Sequence, residues 1–221
     1  EIKTMLEMIE TVYQRFNLTD FWVSISLRDP KNKEKYLGND AVWETAENAL
    51  RNVIRATGWR HEEAEGEAAF YGPKLDFMFK DAIGRQWQLS TIQLDFNLPE
   101  RFELEYVGKG GTVERPVVIH RAVLGSTERF LGIIIEHFGG AFPLFLSPVQ
   151  GVIIPVSEHH VAYAQGVLAK LRAEGFRIDL DLSNETLGKK IRENKIKKVP
   201  YLFVVGEKET GDDTVSVESR D

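Results

Sequence analysis

Leu75-Asp76-Phe77-Met78-Phe79-Lys80 leads through Asp81-Ala82-Ile83-Gly84 into Arg85-Gln86-Trp87-Gln88-Leu89-Ser90-Thr91-Ile92-Gln93-Leu94-Asp95-Phe96. In the first run Leu75, Phe77 and Phe79 alternate with Asp76, Met78 and Lys80, the period of a strand with unlike faces. The four residues between the runs are a turn, so the pair predicts a long antiparallel hairpin. The second run is irregular. Its polar set is Gln86, Gln88 and Ser90 before Thr91 but Gln93 and Asp95 after it, so the alternation slips by one residue and a β-bulge is expected near Thr91.

Upstream, Ile2, Met5, Leu6, Ile9, Val12, Tyr13 and Phe16 recur every three or four positions and predict an amphipathic helix at the start. Residues 21–27 set Trp22, Ser24 and Ser26 against Val23, Ile25 and Leu27, a further strand. Asp40 or Asn39 caps a helix whose apolar face is Val42, Trp43, Ala46, Leu50, Val53 and Ile54, and Gly58 ends it. Downstream, residues 116–124 make another strand, and Gly125-Ser126-Thr127-Glu128 is a turn with an N-cap that opens a very apolar helix stopping at Gly139-Gly140. Two prolines in residues 142–148 mark a domain boundary. Beyond them strands (150–156, 176–182, 201–205) alternate with helices (158–173, 185–194), and residues 214–219 add an edge strand. The fold class is therefore α/β, α+β overall: an antiparallel-sheet domain over residues 1–145, then an α/β domain over residues 146–221 with a mixed, mainly parallel sheet.

The composition agrees. In 221 residues, 43% are hydrophobic and 28% charged, with a net charge of −6, which suits one large or two small globular domains and excludes a disordered, collagen-like or coiled-coil chain. No apolar run approaches the roughly 20 residues of a membrane span. The N-terminus has no signal-peptide core and the chain has no cysteine, so no disulfide or thiolate site is expected and the cytoplasm is the expected compartment. The chain opens inside a helix without an initiating methionine, as a shortened polypeptide does.

Several motifs are excluded. His61-Glu62-Glu63-Ala64-Glu65 has glutamate where a helical zinc motif needs its second histidine. Gly108-Lys109-Gly110-Gly111-Thr112 lacks the spacing of a phosphate loop and is expected to be a hairpin tip. Other patterns stay open. Gln88, Ser90, Gln93 and Asp95 line the polar face of the second hairpin strand, where amides suit an adenine edge or an amino group, or form a solvated sheet face. His120-Arg121 precedes a helix start carrying Ser126, Glu128 and Arg129, which fits a phosphate; the alternative is a core histidine and an arginine paired with a carboxylate. Lys189, Lys190, Arg192, Lys195, Lys197 and Lys198 form a basic run that either engages a phosphate backbone or is a solvated helix face.

Three stretches, Glu67-Ala68-Ala69-Phe70-Tyr71-Gly72-Pro73-Lys74, Thr91-Ile92-Gln93-Leu94-Asp95-Phe96 and residues 116–130, resemble in order the threonyl-tRNA synthetases, a class II aminoacyl-tRNA synthetase family of bacterial type. The last resembles the family's motif 3, and Ile196-Lys197-Lys198-Val199-Pro200-Tyr201 resembles its anticodon-binding domain. The resemblance implies ATP-dependent ligation of threonine to tRNA through a threonyl-adenylate, with Mg2+ accompanying ATP. It implies catalytic roles for Arg129 and Lys74, threonine contacts from Tyr71, Gln93 and Asp95, and ATP contacts from Gln88, Thr91, Ser126 and Arg129. Asn184, Lys198 and Glu209 fall where the family reads the anticodon, and His120 where it places one of three zinc ligands.

The same comparison implies that the other two zinc ligands, a Cys and a His, lie upstream of this chain together with motif 1, which builds the homodimer, and motif 2. The zinc site is therefore expected to be incomplete here. Leu89-Ser90 stands where many relatives have Cys-Gly, Lys198 replaces an arginine and loses its planar fork, and Glu218 stands where an arginine is usual. The chain is also expected to stop before the closing helix of the anticodon domain. A non-catalytic tRNA-binding fragment or paralogue is the alternative function.

Overall fold

The computed structural model describes residues 1–220 and resolves two compact units, Glu1–Ile134 and the remainder from Ile135. The first opens with α1 (Ile2–Arg15), then β1 (Phe21–Leu27), α2 (Asp40–Thr57), β2 (His61–Glu65), β3 (Lys74–Lys80), β4 (Gln86–Asp95), α3 (Asn97–Arg101), β5 (Tyr106–Val107), β6 (Val113–Glu114), β7 (Val118–Ala122) and α4 (Thr127–Phe138). Five strands form one sheet in the order β2-β1-β3-β4-β7, antiparallel except for the β1 and β2 pair. Asn39 supplies the α2 cap, its Oδ1 accepting from Val42 N at 3.0 Å.

The expected bulge is present. Asp76 pairs with Thr91 and Met78 with Gln88, so Leu89 and Ser90 together oppose Phe77 alone. The extra residue lets both Leu89 (2% exposed) and Ser90 (0%) turn inward next to each other. The Ser90 hydroxyl donates to the Val123 carbonyl, and the Tyr13 hydroxyl from α1 lies 2.7 Å away. Burial pushes the Tyr13 phenol up to about 12, against a smaller downward pull from Ser90.

Register sorts the sheet into two faces, because residues paired across strands share a side. Val23, Ile25, Leu75, Phe77 and Ile92 form the apolar face; the Tyr13 ring meets the Phe77 ring edge-on at 6.2 Å. Ser24, Ser26, Lys74, Asp76, Thr91, Gln93 and His120 line the opposite, polar face. The β3 to β4 turn is held by Asp81, which accepts from Ile83 N, Arg85 N, Arg85 Nε and Trp87 Nε1 at 2.6 to 3.1 Å. Burial pushes its carboxyl up, yet the bonds from Trp87 and Arg85 prevail and lower it from 3.8 to about 2. A lowered folded value means stability that is present above pH 3.8 and lost as pH falls through about 2. The melting temperature of an Asp81→Asn variant should accordingly lie below wild type at pH 6, with the gap closing between pH 4 and 2; a gap independent of pH would contradict this.

The second unit adds β8 (Gly151–Pro155), α5 (Val161–Ala173), β9 (Ile178–Leu180), α6 (Leu187–Ile196), β10 (Tyr201–Val205), α7 (Glu207–Asp212) and β11 (Ser216–Ser219). Its sheet runs β11-β10-β8-β9, parallel except for the antiparallel edge strand β11, as the alternating pattern predicts. Ile153, Ile178 and Val205 pack with Ala164 of α5 on one side, and Val152, Ile154 and Leu202 pack near Leu187 and Ile191 of α6 on the other. No helix of the described residues is long and apolar enough to cross a membrane.

Candidate active site

The polar face of the first sheet gathers most of the side chains singled out above. Tyr71 donates to Gln93 Oε1 at 2.9 Å, and Gln93 stands opposite His120 in the β4 and β7 pair. Asp95, 1% exposed, bonds His120 Nε2 at 2.9 Å through Oδ2. Its Oδ1 accepts from Asn97 N and Leu98 N at 2.8 and 3.0 Å, capping α3. With Nε2–H directed at Asp95, Nδ1 is the imidazole nitrogen left to accept a proton or meet a cation.

Lys74, Gln88 and Thr91 converge on one carboxylate, Asp76, which is 5% exposed. Its Oδ1 accepts from Gln88 Nε2 at 2.6 Å and Thr91 Oγ1 at 2.9 Å; its Oδ2 accepts from Ser26 Oγ at 2.9 Å and pairs with Lys74. Gln88 Nε2 also lies 2.8 Å from Thr91 Oγ1. In sequence Asp76 is only one member of an alternating run and is not among the expected site residues. The signal for it is nonetheless present, since positions 74 and 76 share a strand face and Asp76 pairs with Thr91 in register.

Gly125 joins β7 to α4. It has φ +65°, and a Cβ there would stand 2.5 Å from the Leu89 carbonyl at the bulge, so the helix start is held close to β4. Ser126 caps α4, accepting from Arg129 N at 3.2 Å, and bonds Glu128 at 3.0 Å. The Glu128 carboxyl is lowered by its own backbone N–H and by the Ser126 hydroxyl. The Arg129 guanidinium lies 6.0 Å from the Trp87 ring and reaches the Gln88 carbonyl at 3.4 Å. Arg129 and Ser126 thus adjoin the Gln88 end of the cluster, with a helix N-terminus and a cation available to an anion.

The three anticodon candidates are not joined to one another by any hydrogen bond or ion pair among the described residues. Asn184 is exposed in the loop after β9, and Lys198 is exposed beyond α6 at φ +58°. Glu209 lies in α7, where Ser216 Oγ and Gly206 N bond its oxygens at 2.7 and 2.9 Å, the first being the larger cause of its lowered carboxyl. The basic run divides. Lys190 is buried with Nζ on the Asp181 carbonyl, Lys189 pairs with Glu185 and Lys195 with Glu218. Arg192, Lys197 and Lys198 have no ion-pair partner among the described residues. A cavity of about 440 Å³ in this unit is lined by Phe142, Asp181, Asn194, Lys197 and Lys198, among others.

A five-stranded, mostly antiparallel sheet with one polar face, followed by an α/β unit, is the plan of a class II aminoacyl-tRNA synthetase, and the chain belongs to that class. Residues 1–138 match the family model "tRNA synthetase class II core domain (G, H, P, S and T)" and residues 150–221 match "Anticodon binding domain". Within the class it belongs to the threonyl-tRNA synthetase family. The chain is 49% identical over 220 residues to the threonine–tRNA ligase of Thermus thermophilus, covering 100% of this chain and 33% of that protein. It is 51% identical over 221 residues to that of Gloeobacter violaceus, covering 100% of this chain and 35% of the relative. Among solved structures it is similar to the RNA binding domain of threonyl-tRNA synthetase from Cryptosporidium parvum, with a TM-score of 0.92 and 41% identity over 100% of this chain and 55% of the other. The chain spans about a third of the length of the curated relatives it matches.

Proposed function

We propose that this chain is the part of a cytoplasmic, homodimeric threonine–tRNA ligase that carries the later half of the catalytic sheet, within residues 1–145, and the anticodon-binding domain, within 146–221. The observation that carries the reading is the clustering of Tyr71, Lys74, Gln88, Thr91, Gln93, Asp95 and His120 on one sheet face, with Ser126 and Arg129 beside Gln88. In this reading the threonine carboxylate attacks the α-phosphate of Mg2+-bound ATP in line; a P–O bond to threonine forms and the bond to pyrophosphate breaks. Gln88, Thr91 and Ser126 hold the nucleotide, Arg129 binds its terminal phosphate, and Lys74 offsets charge on the transferring group. Tyr71, Gln93 and Asp95 orient threonine, and a terminal ribose hydroxyl of tRNA then displaces AMP from the acyl carbon.

Zinc fits this segment only in part. Among the described residues no three His, Asp or Glu side chains converge, and one imidazole does not make a zinc site. His120 supplies a single ligand in this reading, and the Cys and His come from outside the segment.

Threonine-dependent exchange of pyrophosphate into ATP by the full-length protein that contains this segment tests the reading. Exchange that requires threonine supports it. No exchange with tRNA binding retained leaves the second reading, a non-catalytic tRNA binder, which Arg192, Lys197 and Lys198 favour. Three phosphate contacts should give a plot of log affinity against log salt with a slope of about −2. Replacing these three residues by alanine should flatten that slope; an unchanged slope would remove them from the interface.

A further inference from the structure

We infer that Asp76 is a positioning residue that sets which hydrogen-bonding groups the site presents to the nucleotide, an inference that rests on the ATP-binding reading of Gln88 and Thr91. An ionised carboxylate can only accept, so the Gln88 amide must turn its NH2 toward Asp76 Oδ1, at 2.6 Å, and leave Oε1 as the outward group. The Thr91 hydroxyl, 2.9 Å from the same oxygen, spends its proton there, accepts from Gln88 Nε2 at 2.8 Å, and has one lone pair left. Ser26 and Lys74 occupy Oδ2, so the carboxylate is fully coordinated and the Gln88 amide cannot flip without stranding an acceptor. The outward face of this cluster therefore offers acceptors from Gln88 and Thr91 beside the Lys74 ammonium. That combination suits the part of a nucleotide where hydroxyl or amino donors adjoin a phosphate. Asp76 does this without reaching the ligand.

The test is binding of a non-hydrolysable threonyl-adenylate mimic, the sulfamoyl adenosine, measured by calorimetry on the wild-type chain and four variants. Asp76→Asn can rotate a donor toward Gln88 and release its amide, and should weaken binding about tenfold. Asp76→Glu should restore it to within about threefold. Introduced into a Gln88→Ala, Thr91→Val background, Asp76→Asn should cost less than about twofold, because a residue acting through Gln88 and Thr91 has nothing left to position. An equal cost in both backgrounds, or no cost in either, overturns the inference while leaving nucleotide binding intact. Failure of the wild-type chain to bind overturns the nucleotide reading and the inference with it. If Asp76→Asn does not fold, the Gln88 side-chain amide of the wild-type chain decides: its NH2 protons should exchange with solvent markedly more slowly than those of the exposed Gln14, and equal exchange rates would refute a fixed amide.

Discussion

Gly72→Ala should lower the melting temperature by roughly 10 °C, corresponding to about 3 kcal/mol lost. A Cβ at position 72 would fall 1.8 Å from the Leu94 carbonyl oxygen and 2.8 Å from its carbon. The obstacle is backbone, and that backbone belongs to the strand carrying Gln93 and Asp95. Relief requires residues 71–74 to move off β4, breaking the Leu94 N to Pro73 O bond of 3.1 Å and drawing the Tyr71 hydroxyl from Gln93. The loss should therefore appear in ligand binding as well as in heat resistance. Gly132→Ala is the control: nothing lies within 4 Å of the added methyl, and the residue is inside α4. There the change should raise stability by up to about 1 kcal/mol. Equal melting temperatures for the two variants would refute this account.

Asp95→Ala should be the most damaging single change to the polar face. The carboxylate serves two backbone donors with one oxygen and His120 with the other while 1% exposed. Losing the cap and leaving buried donors unpaired costs about 2 to 4 kcal/mol in all. Asp95→Asn separates structure from chemistry. Its carbonyl keeps the α3 cap, but its NH2 faces His120 Nε2, which must then accept, so the imidazole proton moves to Nδ1. The expected result is near-native melting, a histidine 15N spectrum showing the other tautomer, and, in the full-length protein, threonine-dependent exchange reduced about 10- to 100-fold. Native exchange with an inverted tautomer would show that the orientation of His120 is unimportant.

Where side-chain pattern and burial agree, the fold is legible in the sequence. The slipped alternation around Thr91 locates the bulge because both sides of β4 have distinct faces. His61–Glu65 carries no such signal because its side chains are polar and largely exposed: β2 is an edge strand held by parallel pairing to β1, with Glu63 bonded to Arg51 at 3.1 Å, and an apolar pattern is not what specifies it. The short α3 is equally silent, since a single turn has no period and depends on the Asp95 cap. For the site, types of residue are readable but mutual placement is not. Lys74, Gln88 and Thr91 stand apart in the chain, and only the hairpin register reveals the carboxylate between them. In the second unit the basic run looks uniform in sequence, while packing divides it into a buried lysine, ion-paired lysines and cations without ion-pair partners among the described residues.

The Ser90 hydroxyl has a mechanical consequence. It meets the Tyr13 phenol on α1 and the main chain just past β7 at once, at a point where β4 already departs from regular pairing. Detaching α1 would expose Tyr13 and leave Ser90, 0% exposed, short of a partner, so the helix has no inexpensive way to fray from the sheet. Opening of α1 and loss of the central strands are thereby tied into one cooperative event. The polar face is carried on a layer that either holds its shape or melts whole.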